Sequence, residues 1–130
     1  MEDFVTFEIA KKLKEKGFKE ECLCHYIDSD IVYNLESPIA HNQMWFCHNK
    51  YDNIWHRDNI DAPTISQVLK WLRKEKKIHL ELVIVVDGEY MCDIYKIDVK
   101  PIKCLGSTEY LKTYEQAALA GIEYTLDNLI

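Results

Sequence analysis

Apolar residues recur at helical spacing in three segments of the chain, and each segment follows a threonine that can cap a helix. The first segment begins after Thr6 and ends at Gly17, a residue that favours the left-handed C-terminal turn of a helix. The other two begin after Thr64 and Thr113, where a glutamine three residues later completes the pattern of a capping box. The predicted buried stripes are Ile9, Ala10 and Leu13; Ile65, Val68, Leu69 and Leu72; and Tyr114, Ala118, Ile122, Leu126 and Leu129.

Between the predicted helices, runs rich in β-branched and aromatic residues indicate strands. The clearest signal is Asp87-Gly88, because both residues tolerate the positive φ angles that tight hairpin turns require. We expect a second hairpin around residues 28–30, where Asp and Ser favour a turn. The predicted strands are Cys22 to Ile27, Ile31 to Leu35, Ile78 to Val86, Glu89 to Ile97 and a short one at Ile102 to Leu105.

These elements predict a single α+β domain over residues 1–130, with three helices and a mainly antiparallel sheet of about four to six strands. The expected order is α-ββ-(β)-α-ββ-(β)-α. Residues 37–62 lack a clear period, and we expect a long irregular segment there with one strand at Met44 to Cys47. The predicted core brings together Leu69, Leu72, Ile84, Ile122 and Leu126.

The net charge, the length of the apolar runs and the N-terminal residues argue against two classes of partner and against secretion. The chain carries 22 acidic and 16 basic side chains, a formal net charge of −6, so we expect no nucleic-acid binding. No apolar run approaches the length of a membrane span, and we expect no membrane association. The acidic N-terminus, Met1-Glu2-Asp3, lacks the features of a secretory signal, and we expect a cytoplasmic protein with reduced cysteines.

The cysteine and histidine spacing does not indicate a metal site or a catalytic centre. Zinc sites usually use two ligands separated by a short turn, whereas Cys22 and Cys24 are separated by one residue and Cys47-His48 are adjacent. We therefore assign no metal ligands, no catalytic residues and no cofactor. One alternative stays open, in which Cys47 and His48 serve a small thiol or metal-dependent enzyme.

Aromatic and polar residues interleave in 44–56, a mixture that is typical of protein interfaces. The same residues are compatible with a strand in which aromatic side chains fill the core. The surplus of large aromatic side chains favours a homodimer over a monomer. The candidate partner-binding residues are Trp45, His48, Tyr51, Trp55, His56 and Trp71.

Three segments carry a resemblance to a family. They are the helix from Phe7 to Phe18, the block from Ala62 to Arg73 and the ending from Thr113 to Ile122. Together they resemble short uncharacterised proteins of anaerobic gut bacteria and their phages or mobile elements. The resemblance implies a bacterial setting, and no functional residue is carried over from it.

The leading functional hypothesis is a non-catalytic protein-interaction or accessory module that forms a homodimer and binds an unidentified protein partner. A second hypothesis is an acidic inhibitor or decoy of a nuclease or phage-defence system, since the net charge is −6 and the chain is small. The third is the thiol or metal-dependent enzyme described above.

Overall fold

A computed structural model describes residues 3–27, 30–33 and 60–130 of the chain. These residues form three helices and six strands, and the strands make two three-stranded antiparallel sheets. The predicted α+β class and the order of helices and strands are confirmed, although the strands divide between two sheets. The helices are α1 (Phe7–Glu15), α2 (Ile65–Trp71) and α3 (Tyr114–Asn128), and the strands are β1 (Cys24–Ile27), β2 (Asp30–Tyr33), β3 (Ile60–Ala62), β4 (Ile78–Ile84), β5 (Tyr90–Lys96) and β6 (Lys103–Ser107).

The described residues fall into two compact units, and each is considered by itself. The N-terminal unit comprises Phe4–Pro63, and the C-terminal unit joins Asp3 to Thr64–Ile130. That the chain forms one domain stays a prediction.

In the N-terminal unit, local hydrogen bonds fix both ends of α1. The Thr6 hydroxyl accepts a hydrogen bond from the amide of Ile9 at 3.2 Å. At the other end Gly17 has φ +90°, and the Phe18 amide donates to the Leu13 carbonyl at 3.0 Å. The side chains of Phe18 and Leu13 are both buried, as the predicted left-handed helix ending requires.

The sheet of the N-terminal unit has the order β2-β1-β3, with β1 paired antiparallel to both neighbours. All four residues of β1 are buried, since it is the central strand. The hairpin of β1 and β2 confirms the prediction for this region. Strand β3 lies in a part of the chain for which the sequence predicted only an irregular segment. The strand predicted at Met44 to Cys47 lies outside the described residues.

The C-terminal unit opens with the predicted capping box of α2. The Thr64 hydroxyl accepts from the Gln67 amide at 3.2 Å, and the Gln67 side-chain oxygen accepts from the Thr64 amide at 3.0 Å. The helix continues as a π-helical turn, Leu72–Lys76, and ends at Lys77, which has φ +57°. This turn leads directly into β4.

Strands β4, β5 and β6 form the second sheet in that order. The turn between β4 and β5 has Asp87 at φ +72° and Gly88 at φ +76°, so the predicted hairpin is confirmed. Its loop contains three residues, Val86–Gly88, and is closed by a hydrogen bond from the Val85 amide to the Glu89 carbonyl at 2.8 Å.

Helix α3 packs closely against this sheet through its small residues. Ala117, Ala118 and Gly121 are buried, and a Cβ atom added at Gly121 would lie 2.5 Å from the Cys92 Sγ and 3.0 Å from Leu80 Cδ2. The helix therefore approaches the sheet closely at these small side chains. Tyr114, which the predicted stripe included, is exposed because it is the first residue of the helix.

The predicted core is correct at three of its five positions. Leu72, Ile122 and Leu126 are buried, Leu69 is half-buried, and Ile84 is 68% exposed. The prediction for Ile84 was wrong because burial decreases along β4. Its first residues are covered on the helix side of the sheet, and its last residue extends beyond that cover.

Candidate protein-interaction surface

The β4–β5–β6 sheet has two different sides. On the side that faces α3, Leu80 lies opposite Ile94, and both side chains are buried. The opposite side, which we call the polar face, carries the residues that alternate with them. The polar face consists of His79, Glu81, Val83, Met91, Asp93, Tyr95, Cys104 and Ser107.

The register of the three strands arranges most of these residues in two rows. In the first row Tyr95 lies between His79 and Cys104. The β-bulge between Ile94 and Tyr95 shifts the pairing of β6 and gives Tyr95 this neighbour. The second row places Asp93 between Glu81 and Ser107.

Polar groups of the polar face bond to one another. His79 Nε2 lies 2.8 Å from the Glu81 Oε2, and the Ser107 hydroxyl donates to the Asp93 Oδ1 at 2.6 Å. The negative charge of Asp93 raises the pKa of Tyr95, with a smaller contribution from burial. The Tyr95 hydroxyl also has a side-chain hydrogen bond to Asp93, so its proton is held within the polar face.

These contacts do not form an activated nucleophile. The Ser107 hydroxyl is bonded to the carboxylate of Asp93 instead of to an imidazole. The imidazole of His79 is bonded to the carboxylate of Glu81 and does not contact Ser107. A hydroxyl nucleophile requires a base that can take its proton, and general bases at a serine are usually histidines. The polar face therefore presents hydrogen-bond donors and acceptors on one side of a sheet, an arrangement that suits a binding surface.

The backbone of β4 offers a second binding element at its outer edge. The Ile97 amide donates to the Lys77 carbonyl, and the Val85 amide donates to the Glu89 carbonyl, just before and just after β4. Because hydrogen-bonded positions alternate along an antiparallel pair, the odd-numbered residues of β4 direct their backbone groups toward β5. The residues that direct theirs outward are then Ile78, Leu80, Leu82 and Ile84.

No strand within residues 3–27, 30–33 and 60–130 pairs with this outer edge. Strand β4 is seven residues long, its pairing with β5 is regular, and it contains no proline. Long, regular edge strands of this kind are templates for the addition of another strand.

Strand β6, at the opposite edge, has features that discourage strand addition. It is five residues long, contains Lys103 and Gly106, and has the bulge in its pairing with β5. Short length, bulges and lysine are the usual protection of edge strands. The two edges of the sheet therefore differ in their capacity to pair.

Exposed apolar side chains adjoin the end of β4. Ile84 is 68% exposed and Val86, in the following turn, is 83% exposed. These two side chains make the end of the β4 edge apolar, beside the outward backbone groups of the strand.

The N-terminal unit contains a separate groove of about 400 Å³. Among the described residues, Ala10, Lys14, Phe18, Lys19 and Asp61 line it. Its mixed charges do not define a ligand class.

Three of the four described cysteines, Cys22, Cys24 and Cys92, are buried, and Cys104 is exposed. Burial raises the pKa of Cys22 to about 12, with further contributions from nearby Asp61, Cys24 and Glu20. Burial likewise raises the pKa of Cys24 and brings that of Cys92 to about 12. Thiolates are the metal-binding and nucleophilic form of cysteine, and burial disfavours that form at these positions. Within the described residues no group of three or more His, Cys, Asp or Glu side chains is placed to hold a metal ion.

Of the candidate partner-binding residues, Trp71 is the only one in the described part of the chain. Its side chain is 5% exposed and belongs to the buried core of the C-terminal unit. The π-helical turn after α2 brings the ammonium group of Lys76 to 5.4 Å from the centre of its ring. The other candidates, Trp45, His48, Tyr51, Trp55 and His56, lie outside the described residues, and so does the alternative thiol Cys47.

Sequence reasoning did not single out the polar face or the edge of β4. The available signal was the alternation of Ile78, Leu80 and Leu82 with His79 and Glu81, which marks a strand with one polar side. That alternation does not reveal which strand lies at an edge, because edge position depends on the order of the strands in the sheet.

No helix in the described residues is long and apolar enough to cross a membrane. Comparison of the chain with protein-family models, curated proteins and solved structures gave no match.

Proposed function

We propose that the chain is a non-catalytic protein-interaction module that forms a homodimer through the outer edge of β4. The observation that carries this proposal is the length and regularity of that edge, which no strand of the described residues covers. An identical edge supplies backbone donors and acceptors that can pair with the outward groups of β4.

Two further features support an interaction function. The polar groups of the polar face are bonded to one another, so they hold a defined surface without an activated nucleophile. The apolar end at Ile84 and Val86 supplies surface whose burial would stabilise a complex. From the resemblance to proteins of gut bacteria and their mobile elements we infer an accessory role for this module.

The first test is the mass of the chain in solution. Light scattering over a tenfold range of micromolar concentration is expected to give twice the 15.4 kDa chain mass. A mass that stays at 15.4 kDa throughout the range would overturn the homodimer.

The second test blocks the edge while leaving the ladder with β5 intact. The Leu82 amide points outward, so Leu82→Pro removes no hydrogen bond to β5 and obstructs only an added strand. Leu82→Ala is the matched control, because it shortens the same half-buried side chain and keeps the amide. We expect a monomer for Leu82→Pro and a dimer for Leu82→Ala, and equal masses for the two would contradict pairing at this edge.

Hydrogen exchange of the wild-type protein gives a reading that does not depend on any variant folding. The amides of Leu80 and Leu82 are expected to exchange more slowly as protein concentration rises, because dimer formation would bond them. The amide of Leu111, which donates to the Tyr90 carbonyl, is the internal reference and is expected to be insensitive to concentration. Concentration-independent exchange at Leu80 and Leu82 would also overturn the proposal.

The other two hypotheses stay predictions. The thiol or metal-dependent enzyme uses Cys47 and His48, which lie outside the described residues. For the acidic decoy, the polar face offers two carboxylates, Glu81 and Asp93, and each is bonded to a neighbouring side chain. No observation on the described residues favours either over the interaction module.

A further inference from the structure

We infer the register of the proposed dimer: β4 pairs antiparallel with β4 of the partner subunit, centred on Leu80, with His79 opposite Glu81 of the partner subunit. This inference rests on the proposed function and specifies the interface through which it acts. It follows from the direction of the backbone groups of β4 and from the charges on its polar side.

Two-fold symmetry limits the registers that are possible. A two-fold axis between two antiparallel edges places one residue opposite its own copy and keeps the two sides of the sheet continuous. The helix-facing residues of one β4 then extend the helix-facing side of the other. The possible centres within the regular part of β4 are His79, Leu80, Glu81 and Leu82.

The registers differ in which charged side chains they set opposite one another. A centre at Glu81 places that carboxylate opposite its own copy, and directly opposed like charges destabilise a strand pair. A centre at His79 places the two imidazoles opposite each other and sets Glu81 opposite Lys77 of the partner subunit, a residue that has φ +57° and lies outside β4. A centre at Leu82 places Glu81 opposite Val83 of the partner subunit.

Among residues inside β4, only the centre at Leu80 sets an acidic side chain opposite one that can donate a hydrogen bond to it. It sets His79 of each chain opposite Glu81 of the partner subunit, so the symmetric interface contains this pair twice. On the helix side Leu80 lies opposite its own copy and Ile78 lies opposite Leu82 of the partner subunit, so that side remains apolar.

The geometry of the single chain suits this arrangement. The backbone groups of His79 and Glu81 point toward β5. Across the outer edge these two residues would therefore form non-hydrogen-bonded pairs, in which opposed side chains approach most closely. Their side chains are 35% and 55% exposed and already bond within the chain at 2.8 Å. Both side chains can therefore reach across the interface.

The test uses charge variants and the dimer dissociation constant measured by sedimentation. His79→Glu places a carboxylate opposite Glu81 of the partner subunit twice per dimer, and we expect the dissociation constant to rise about tenfold or more. The double variant His79→Glu with Glu81→Lys places two opposite-charge pairs across the interface, and we expect it to dimerise at least as tightly as the wild type.

The rescue distinguishes the registers. With a centre at Glu81 the double variant opposes two lysines, and with a centre at His79 it opposes two glutamates, so neither register predicts recovery. Lys103→Gln is the control, because it lowers the net charge by the same single unit as His79→Glu at the opposite edge of the sheet. We expect its dissociation constant to equal that of the wild type, and circular dichroism of each variant reports whether the chain is folded.

Two failures are distinguishable. A wild-type protein that is monomeric overturns the proposed homodimer and this register together. A wild-type dimer that withstands His79→Glu, or a double variant that fails to recover while folded, overturns the register and leaves the homodimer in place.

Discussion

The contact between α3 and the sheet predicts a destabilising effect of Gly121→Ala. In an isolated helix this substitution would stabilise by about 1 kcal/mol, because glycine has a lower helix propensity than alanine. Here the added methyl group would lie 2.5 Å from the Cys92 Sγ and 3.0 Å from Leu80 Cδ2. Those side chains are buried, so they have little free space into which to move.

The magnitude follows from these opposing effects. Overpacking a well-packed core costs about 1–3 kcal/mol, and the contact at Cys92 is far shorter than ordinary van der Waals contacts. So short a contact places the overpacking cost in the upper part of that range, at about 2–3 kcal/mol. After the gain of about 1 kcal/mol in helix propensity is subtracted, we expect a net loss of about 1–2 kcal/mol in the free energy of unfolding. For a chain of this size that lowers Tm by about 4–8 °C.

Urea unfolding of four variants measures the effect. Ala120 precedes Gly121 in the same helix and is half-buried. Ala120→Gly therefore calibrates the intrinsic cost of glycine in this helix, which we expect to be about 1 kcal/mol. Cys92→Ala removes the nearest sulfur, and in the double variant with Gly121→Ala we expect a favourable coupling energy of about 1 kcal/mol or more. If Gly121→Ala were more stable than the wild type, or if the coupling were absent, the helix would not lie as close to the sheet as described.

Three further predictions concern the core, a helix cap and the thiols. Leu72→Ala is expected to cost about 2–5 kcal/mol in urea unfolding because the side chain is fully buried, and an unchanged midpoint would contradict this. Thr64→Ala should cost about 1 kcal/mol by removing the cap of α2, whereas Thr64→Ser should retain most of it; equal losses would argue against the cap. Alkylation of the folded protein near pH 8, followed by peptide mapping, should modify exposed Cys104 before Cys22 and Cys92, whose pKa values are raised to about 12. Faster modification of either buried thiol would show that the core opens.

Much of the local structure could be predicted from the sequence. The N-cap at Thr6, the ending at Gly17, the capping box at Thr64 and the turn at Asp87-Gly88 depend on hydrogen bonds and dihedral angles within a few residues. Such interactions are local, so the residue types themselves identify them. The α+β class followed from the same signals.

Other features depended on which segments meet. Strand β3 has only three residues and is defined by its pairing with β1, a partner more than thirty positions away. Ile84 has the side chain of a core residue and lies on the helix side of the sheet, yet it extends beyond the cover of α3. Trp71 is buried, and the π-helical turn that follows α2 places the ammonium group of Lys76 over its ring.

The candidate surface belongs entirely to this second class. The sequence determined that His79 and Glu81 share one side of a strand, because side chains alternate along an extended backbone. Only the tertiary structure placed Tyr95 and Cys104 in one row with His79, since that row follows from the register of three strands and a bulge. The order β4-β5-β6 likewise decided that β4 is an edge, because strand order is fixed by packing among distant segments and leaves no mark in the local sequence.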